Sequence, residues 1–420
     1  METINKELVI IGGGPAGLSA AIAAYDQGVR DILIIERDNR VGGILNQCIH
    51  NGFGLTRFKE ELTGPEYAYR DFELVSERNI ETWLDSMVIE LSKDKIVSVI
   101  NKDRGLVKIK ANAIILAMGC RERPRGALNI AGTRPSGVYS AGMAQKLVNV
   151  DGYMPGKEVV ILGSGDIGLV MARRMRLEGA NVKMVCEIMP FSGGLKRNIV
   201  QCLDDFDIPL KLSTTVIEIH GHDRLEGVTI AKVDERMNVI EGTSEYVPCD
   251  TLLLSVGLIP ENELTHMITD KFNKVTRGPV VDDTFETEID GVFACGNVLH
   301  VHDLVDFVSQ EAKLTGTAAA NYILNGKQEK GAKYNIELGE GVRYSIPPVI
   351  SKDFSTPQTV RFRVQDVYRD VFVSVTVNDR VISRIKKRVV APGEMESVIL
   401  VPKLFEEVEG DVIRIGIEAE

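Results

Sequence analysis

The stretch that decides the fold is Glu7-Leu8-Val9-Ile10-Ile11-Gly12-Gly13-Gly14-Pro15-Ala16-Gly17, and it has a counterpart 151 residues later in Glu158-Val159-Val160-Ile161-Leu162-Gly163-Ser164-Gly165-Asp166-Ile167-Gly168. Each is an apolar run that reads as a buried strand, then a glycine-rich turn, then a small-residue helix. Each is followed by an acid 24 positions after its first glycine, Glu36 after Gly12 and Glu187 after Gly163. The first glycine makes the tight strand-to-helix turn. The second lets backbone N–H groups approach a pyrophosphate at the positive end of a helix, and the third lets that helix pack on its strand. The acid accepts hydrogen bonds from ribose hydroxyls. Two complete copies imply two dinucleotides.

A flavin and a nicotinamide are the usual pair whose chemistry requires both in one chain. Charge argues for NAD as the nicotinamide. The Glu187 carboxylate repels the 2′-phosphate of NADP, and the next basic residues, Lys196 and Arg197, come nine and ten positions on.

The 420 residues are enough for two or three domains. With 49 Lys and Arg against 60 Asp and Glu, nothing global favours nucleic acid or an anionic membrane. No apolar run reaches membrane-spanning length, and the first strand begins close to Met1 without space for a signal peptide, so the expected location is the cytoplasm. The six cysteines, Cys48, Cys120, Cys186, Cys202, Cys249 and Cys295, form no CxxC or CxxxxC pair. That pattern argues against a disulfide framework, an iron–sulfur cluster or a zinc knuckle.

Residues 66–78 carry Tyr69, Phe72 and Val75 at helical spacing, and β-like runs follow at 82–91, 96–100 and 106–109 before the buried strand 113–118. The second unit holds strands at 159–162 and 182–186, a β-rich stretch at 211–240 and a closing strand at 251–256. From about Gly331, period-two runs such as Val360-Arg361-Phe362-Arg363-Val364 alternate with Pro, Gly, Asn and Asp, which predicts an antiparallel sandwich or barrel of five to seven strands.

With these residues in hand, positions 6–323 resemble the two-dinucleotide-binding-domain flavoproteins of the pyridine nucleotide–disulfide oxidoreductase superfamily. Gly12, Gly14, Pro15, Ala16, Gly17 with Glu36 and Arg37 match its FAD-binding turn and ribose acid. Gly42-Gly43 matches the pair beside the pyrophosphate, and Val88 the position whose backbone holds adenine. Ala117-Met118-Gly119 matches a strand-end motif. Gly163, Gly165, Asp166, Ile167, Gly168 and Glu187 match the nicotinamide turn, and Ser255 to Pro260, including Gly257, the motif that closes that domain. Thr287 to Asn297 matches the late FAD motif, with Gly296-Asn297 where a Gly-Asp pair meets the ribityl chain. The helix after it points its N-terminus at the flavin in the family.

The resemblance implies an α/β fold with two Rossmann-like, three-layer ββα domains, the NAD domain inserted in the FAD domain, and a small C-terminal all-β domain. The expected boundaries are 1–122 and 251–330 for FAD, 123–250 for NAD, and 331–420 for the β domain. Gly119-Cys120-Arg121-Glu122-Arg123-Pro124 and residues 135–149 resemble the small flavoprotein subunits of opine, proline and glycerol 3-phosphate oxidising systems. Members of that branch often work beside a second, substrate-oxidising flavoprotein. This implies NADH as one partner, a second redox subunit or electron carrier as another, and a possible homo-oligomer.

Departures from the pattern bear on the chemistry. Disulfide reductases carry CxxxxC after the Gly-Gly pair, whereas Gly43-Ile44-Leu45-Asn46-Gln47-Cys48-Ile49-His50 has one cysteine. A lone thiol cannot form the intramolecular disulfide that relays electrons. Cys48 is then either a flavin-side thiolate activated by His50, as in a single-cysteine NADH peroxidase or oxidase, or an ordinary buried cysteine. A non-catalytic scaffold or redox sensor is a third reading. Asn297 replaces an aspartate, and its amide oxygen can still meet a ribityl hydroxyl. His300 and His302 lack a carboxylate or cysteine partner of recognised metal spacing, so no metal is expected. Arg380, Arg384, Lys386, Lys387 and Arg388 form a basic run that suits either an acidic partner or a solvated edge strand.

Overall fold

A computed structural model describes residues 2–419 other than Gln328, Lys330, Asp379 and Glu407. The chain divides into two units, Met1–Cys120 with Pro260–Glu420, and Arg121–Ile259 between them. The second unit is therefore an insertion in the first. Insertion needs the points of exit and return to be close together. They are: within the first unit Glu261 N–H donates to Gly119 O at 3.0 Å, and within the second Arg123 N–H donates to Gly257 O at 3.0 Å.

The first unit is built on parallel strands 2–11, 32–35 and 81–83 on one side of the long strand 105–116, with 292–294 on its other side. The strands alternate their burial between two cores. Val9, Ile11, Leu33, Ile35, Ile114 and Leu116 belong to one, and Leu8, Ile10, Ile32, Ile34, Ala113 and Ile115 to the other. A parallel sheet covered on both faces needs such continuous apolar runs. The predicted run 82–91 is two elements: strand Glu81–Trp83 in the parallel sheet, and Ser86–Leu91, which pairs antiparallel with Ile96–Asn101. Asp85, at φ 48°, lies between them and turns the chain.

Three helices support this sheet. Helix α1 spans Pro15–Asp26, α2 spans Gly64–Glu77 and α3 spans Val305–Asn325. α1 and α3 pack closely because their facing residues are small: a Cβ added to Gly316 would stand 2.2 Å from Ala20 O. α2 begins in a capping box, with Thr63 N–H donating to Glu66 at 2.8 Å. Arg57 ties the connecting loop to all three helices, donating to Ser19, Tyr67, Asp71 and Ser309.

The inserted unit repeats the plan. Its five-stranded parallel sheet runs in the order 138–140, 251–254, 158–162, 181–186, 210–211, and helix α4 (Asp166–Leu177) follows the second glycine turn. Strand Thr251–Leu254 pairs with Glu158–Leu162, so the unit continues past the 250 boundary expected from sequence, to Ile259. The correction has a simple cause: Leu252, Leu253 and Leu254 of this strand are buried in the two apolar cores of the inserted unit.

Among the described residues, those from Lys333 to Ala419 form eight strands in a five-stranded and a three-stranded sheet around one apolar core, rather than five to seven. Strand Lys333–Leu338 runs parallel to Val412–Ala419, a long-range pairing that local periodicity does not reveal. The basic run occupies the strand Arg380–Val390 at the edge of the larger sheet, where Arg384 pairs with Glu418 at 3.1 Å and Lys387 with Glu396 at 2.7 Å.

Candidate dinucleotide sites

The first turn is shaped by close backbone approach. Gly12 has φ 109°, and a Cβ there would lie 2.4 Å from Ala117 O; a Cβ on Gly17 would lie 1.8 Å from Gly12 O. Side chains are excluded at both positions by the strand-to-helix packing. Gly14 differs: its φ is −77° and nothing lies within 4 Å of a built Cβ. Gly14 is the N-cap of α1, which has no side-chain cap and no acid in its first turn, so its backbone N–H groups and dipole face open space. Gly42 N–H donates to Gly13 O at 2.8 Å and the Cβ of an alanine at 43 would be 3.2 Å from Gly14 Cα, which places the Gly42-Gly43 pair against the turn.

Glu36, 6% exposed, accepts from Gly13 N–H at 2.7 Å and Asp38 N–H at 2.8 Å. Its own carbonyl accepts from Ser86 N–H at 2.9 Å, so the strand bearing buried Val88 starts beside the acid, while Arg37 is exposed.

The second turn reproduces these relations. Gly163 has φ 94°, and a Cβ there would lie 2.1 Å from Ser255 O. The close approach of Gly168 is again to the turn and the neighbouring strand end, here Ser255, whose Oγ accepts from Gly168 N–H at 3.0 Å. Glu187, 8% exposed, accepts from Ser164 N–H at 2.8 Å, Ser164 Oγ at 2.6 Å and Met189 N–H at 3.0 Å. Asp166, at the start of α4 where the first copy has Pro15, accepts from Leu195 N–H at 2.8 Å and Asn198 Nδ2 at 2.6 Å. Its charge is thus matched to the loop that follows the acid rather than left facing the turn. Lys196 and Arg197 are exposed.

These features fit a dinucleotide in each turn. Where the helix must touch its strand only glycine is possible; the space beside Gly14 in the first turn is open, whereas a Cβ on Gly165 in the second would stand 3.1 Å from Ser255 Oγ. The loop after Gly43 also leaves Ile44, Ile49 and Leu55 exposed at 55%, 39% and 47%.

Cys48 ends the short 3-10 turn Gly43–Gln47, donates to Ile44 O at 3.3 Å, and burial pushes its thiol up to about 12. An activated thiolate needs the opposite shift, so this environment counts against the nucleophilic role considered for Cys48 with His50. The His50 ring lies 5.0 Å from that of Phe53.

Asn297 is half-exposed in the turn Gly296–Val298. Its Oδ1 accepts from His302 N–H at 3.0 Å, so the oxygen expected to face a ribityl hydroxyl is turned into its own loop. His300 and His302 are fully enclosed, and Glu311 on α3 supplies the carboxylate that spacing failed to locate. His300 Nε2 is 2.9 Å and His302 Nε2 3.3 Å from Glu311 Oε2, and Arg361 Nη1 is 3.8 Å from the same oxygen. The three ligand-type groups lie within 4.8 Å of one another. Arg361 is the fixed positive charge beside Glu311, and the two imidazoles complete a buried polar cluster around its carboxylate. Burial, with His302 beside it, lowers His300 to about 4. Burial acts to raise Glu311, but His302 and His300 outweigh it and hold the carboxyl well below its usual range. Glu311, the one acid beyond the first turn of α3 and set among small residues, was the available signal for this role.

The loop is also held by the C-terminal strands. Arg363 donates to Val301 O at 3.2 Å and pairs with Asp303, which accepts from Met395 N–H at 2.6 Å. Asp306, in the first turn of α3, accepts from Thr56 N–H at 2.8 Å.

Residues 6–320 match the model of the family described as pyridine nucleotide-disulphide oxidoreductase. The chain belongs to that family. It is therefore an oxidoreductase of a family that depends on FAD and a nicotinamide dinucleotide. It is 25% identical over 357 residues to the glutamate synthase [NADPH] small chain of Escherichia coli, covering 77% of this chain and 69% of that one. It is 26% identical over 282 residues to hydrogen cyanide synthase subunit HcnB of Pseudomonas protegens, covering 62% and 58%. Among solved structures, Lactococcus lactis thioredoxin reductase shares the fold with a TM-score of 0.62 at 19% identity, over 76% of this chain and 99% of that one. Among the described residues, no helix is long and apolar enough to cross a membrane.

Proposed function

We propose that the chain binds FAD in the turn at Gly12–Gly17 and NAD(H) in the turn at Gly163–Gly168, and passes electrons between NADH and a second redox protein. The observation that carries this reading is the pair of matched carboxylates, Glu36 and Glu187, each anchored by backbone N–H groups beside a turn only glycine can make.

When bound, FAD supplies a ring that takes up a hydride equivalent from reduced nicotinamide. The chain's own residues bind and orient. The N–H groups at the start of α1 neutralise phosphate charge, and Glu36 holds the adenosine ribose. Glu187 does the same for the nicotinamide dinucleotide. It favours NAD because a 2′-phosphate would meet a carboxylate whose oxygens are already fixed by Ser164 and Met189. The NADPH in the name of the Escherichia coli relative belongs to that protein.

Cys48 has no second cysteine in its loop, so electrons do not leave through a loop disulfide. They leave instead through a partner of the glycerol 3-phosphate or amino-acid dehydrogenase type. Support for a partner comes from relatives named as a small chain and as a subunit, although the chain spans only 69% and 58% of their lengths.

Anaerobic titration followed at the flavin absorption band tests this. One equivalent of NADH should bleach the protein faster than NADPH does, and the isolated chain should reduce dyes while leaving glycerol 3-phosphate and proline untouched. A colourless protein, preference for NADPH, or full activity of the isolated chain on such a substrate would each refute the corresponding part.

A further inference from the structure

The turn bearing Asn297 lies against the first cradle, since a Cβ on Gly296 would be 2.9 Å from the Cβ of Ala16. A primary amide has one end that only accepts and one that only donates, so its role toward a ligand depends on which end the protein already uses. The backbone N–H of His302 can only donate, and it meets the Asn297 side chain at 3.0 Å. That end must be the oxygen, because the reversed amide would set two donors against each other. His302 Nδ1, 3.3 Å away, faces the same oxygen. The arrangement is closed from behind: His302 Nε2 stands 3.3 Å from Glu311 Oε2, and Glu311 Oε1 accepts from Gly296 N–H at 2.8 Å. What remains for a ligand is Nδ2, which donates one N–H to Cys120 Sγ at 3.6 Å, a weak acceptor.

We propose that Asn297 is a cofactor-positioning residue that offers FAD an N–H donor, the reverse of the acceptor an aspartate would present at this place. The inference rests on the FAD reading above. The group recognised is an acceptor oxygen in the ribityl-phosphate part of the cofactor. His302 and Glu311 set the polarity without touching it.

The test uses the FAD-free full chain, with FAD affinity read from quenching of flavin fluorescence. Asn297→Asp keeps an acceptor for His302 N–H, so the loop remains held, but it has no donor. Asn297→Ala removes both. The expected result is affinity about tenfold weaker for Asn297→Asp, comparable with Asn297→Ala, at low and high salt alike, with the unfolding temperature of the FAD-free Asp variant unchanged. Wild-type or tighter affinity in Asn297→Asp would overturn the proposal, because the acceptor end would then be the one that matters. A loss that high salt abolishes would also overturn it, because simple charge repulsion would account for the effect. If the wild-type chain quenches no flavin at all, the FAD reading itself fails, which is a separate result.

Discussion

Replacing Gly14 and Gly17 by alanine, one at a time, should separate folding from cofactor binding. At Gly17 the new methyl would stand 1.8 Å from Gly12 O, more than 1 Å inside normal contact, and the atoms it meets first are backbone rather than a movable side chain. Helix α1 must then shift off its strand, a change that overpacking data put at about 1–3 kcal/mol, with the 1.8 Å approach to a carbonyl favouring the upper end. At Gly14 the methyl meets nothing within 4 Å and φ −77° is ordinary for alanine. The cost to the FAD-free fold should be about 1 kcal/mol or less, arising from the poorer N-cap. FAD should nevertheless bind ~10- to 100-fold more weakly, because the methyl occupies the approach to the N–H groups of α1, and one or two charge-assisted hydrogen bonds are lost. Thermal unfolding without FAD and fluorescence titration with FAD measure the two effects. If Gly14→Ala binds FAD as tightly as wild type, or unfolds as early as Gly17→Ala, the assignment of open space at Gly14 to a phosphate is wrong.

Exchanging Glu187 for arginine should move the ratio of NADPH to NADH turnover upward at least ~10-fold, since a repelling charge becomes an attracting one; an unchanged ratio removes Glu187 from the site. Cys48→Ser should keep NADH–dye reduction within about twofold, and Cys48 should resist alkylation near pH 8, where a thiol raised to about 12 is on the order of one part in ten thousand thiolate. Stability should also fall on acidification. The depressed His300 contributes stability that is complete above its unfolded value near 6.5 and is lost as pH falls toward about 4, because the unfolded chain takes up the proton first. The loss is roughly 3 kcal/mol at most, and His300→Gln should flatten that slope in denaturant melts at stepped pH.

The sequence alone determined what is local. The spacing of glycines in a turn, an apolar run of strand length and an acid at a strand end are written in a few consecutive residues, so the positions of both turns, of Glu36 and Glu187, and the α/β plan were readable there. The eight C-terminal strands were undercounted because the parallel partners 333–338 and 412–419 are far apart in the chain and periodicity carries no pairing information. The tertiary structure alone decided the rest. Glu311 lies one helix away from His302, Arg361 comes from the C-terminal strands, and which end of Asn297 remains available is settled by the backbone five residues on. Such polarity and charge depend on which groups meet in a space closed to water, and that is a property of packing rather than of any single segment.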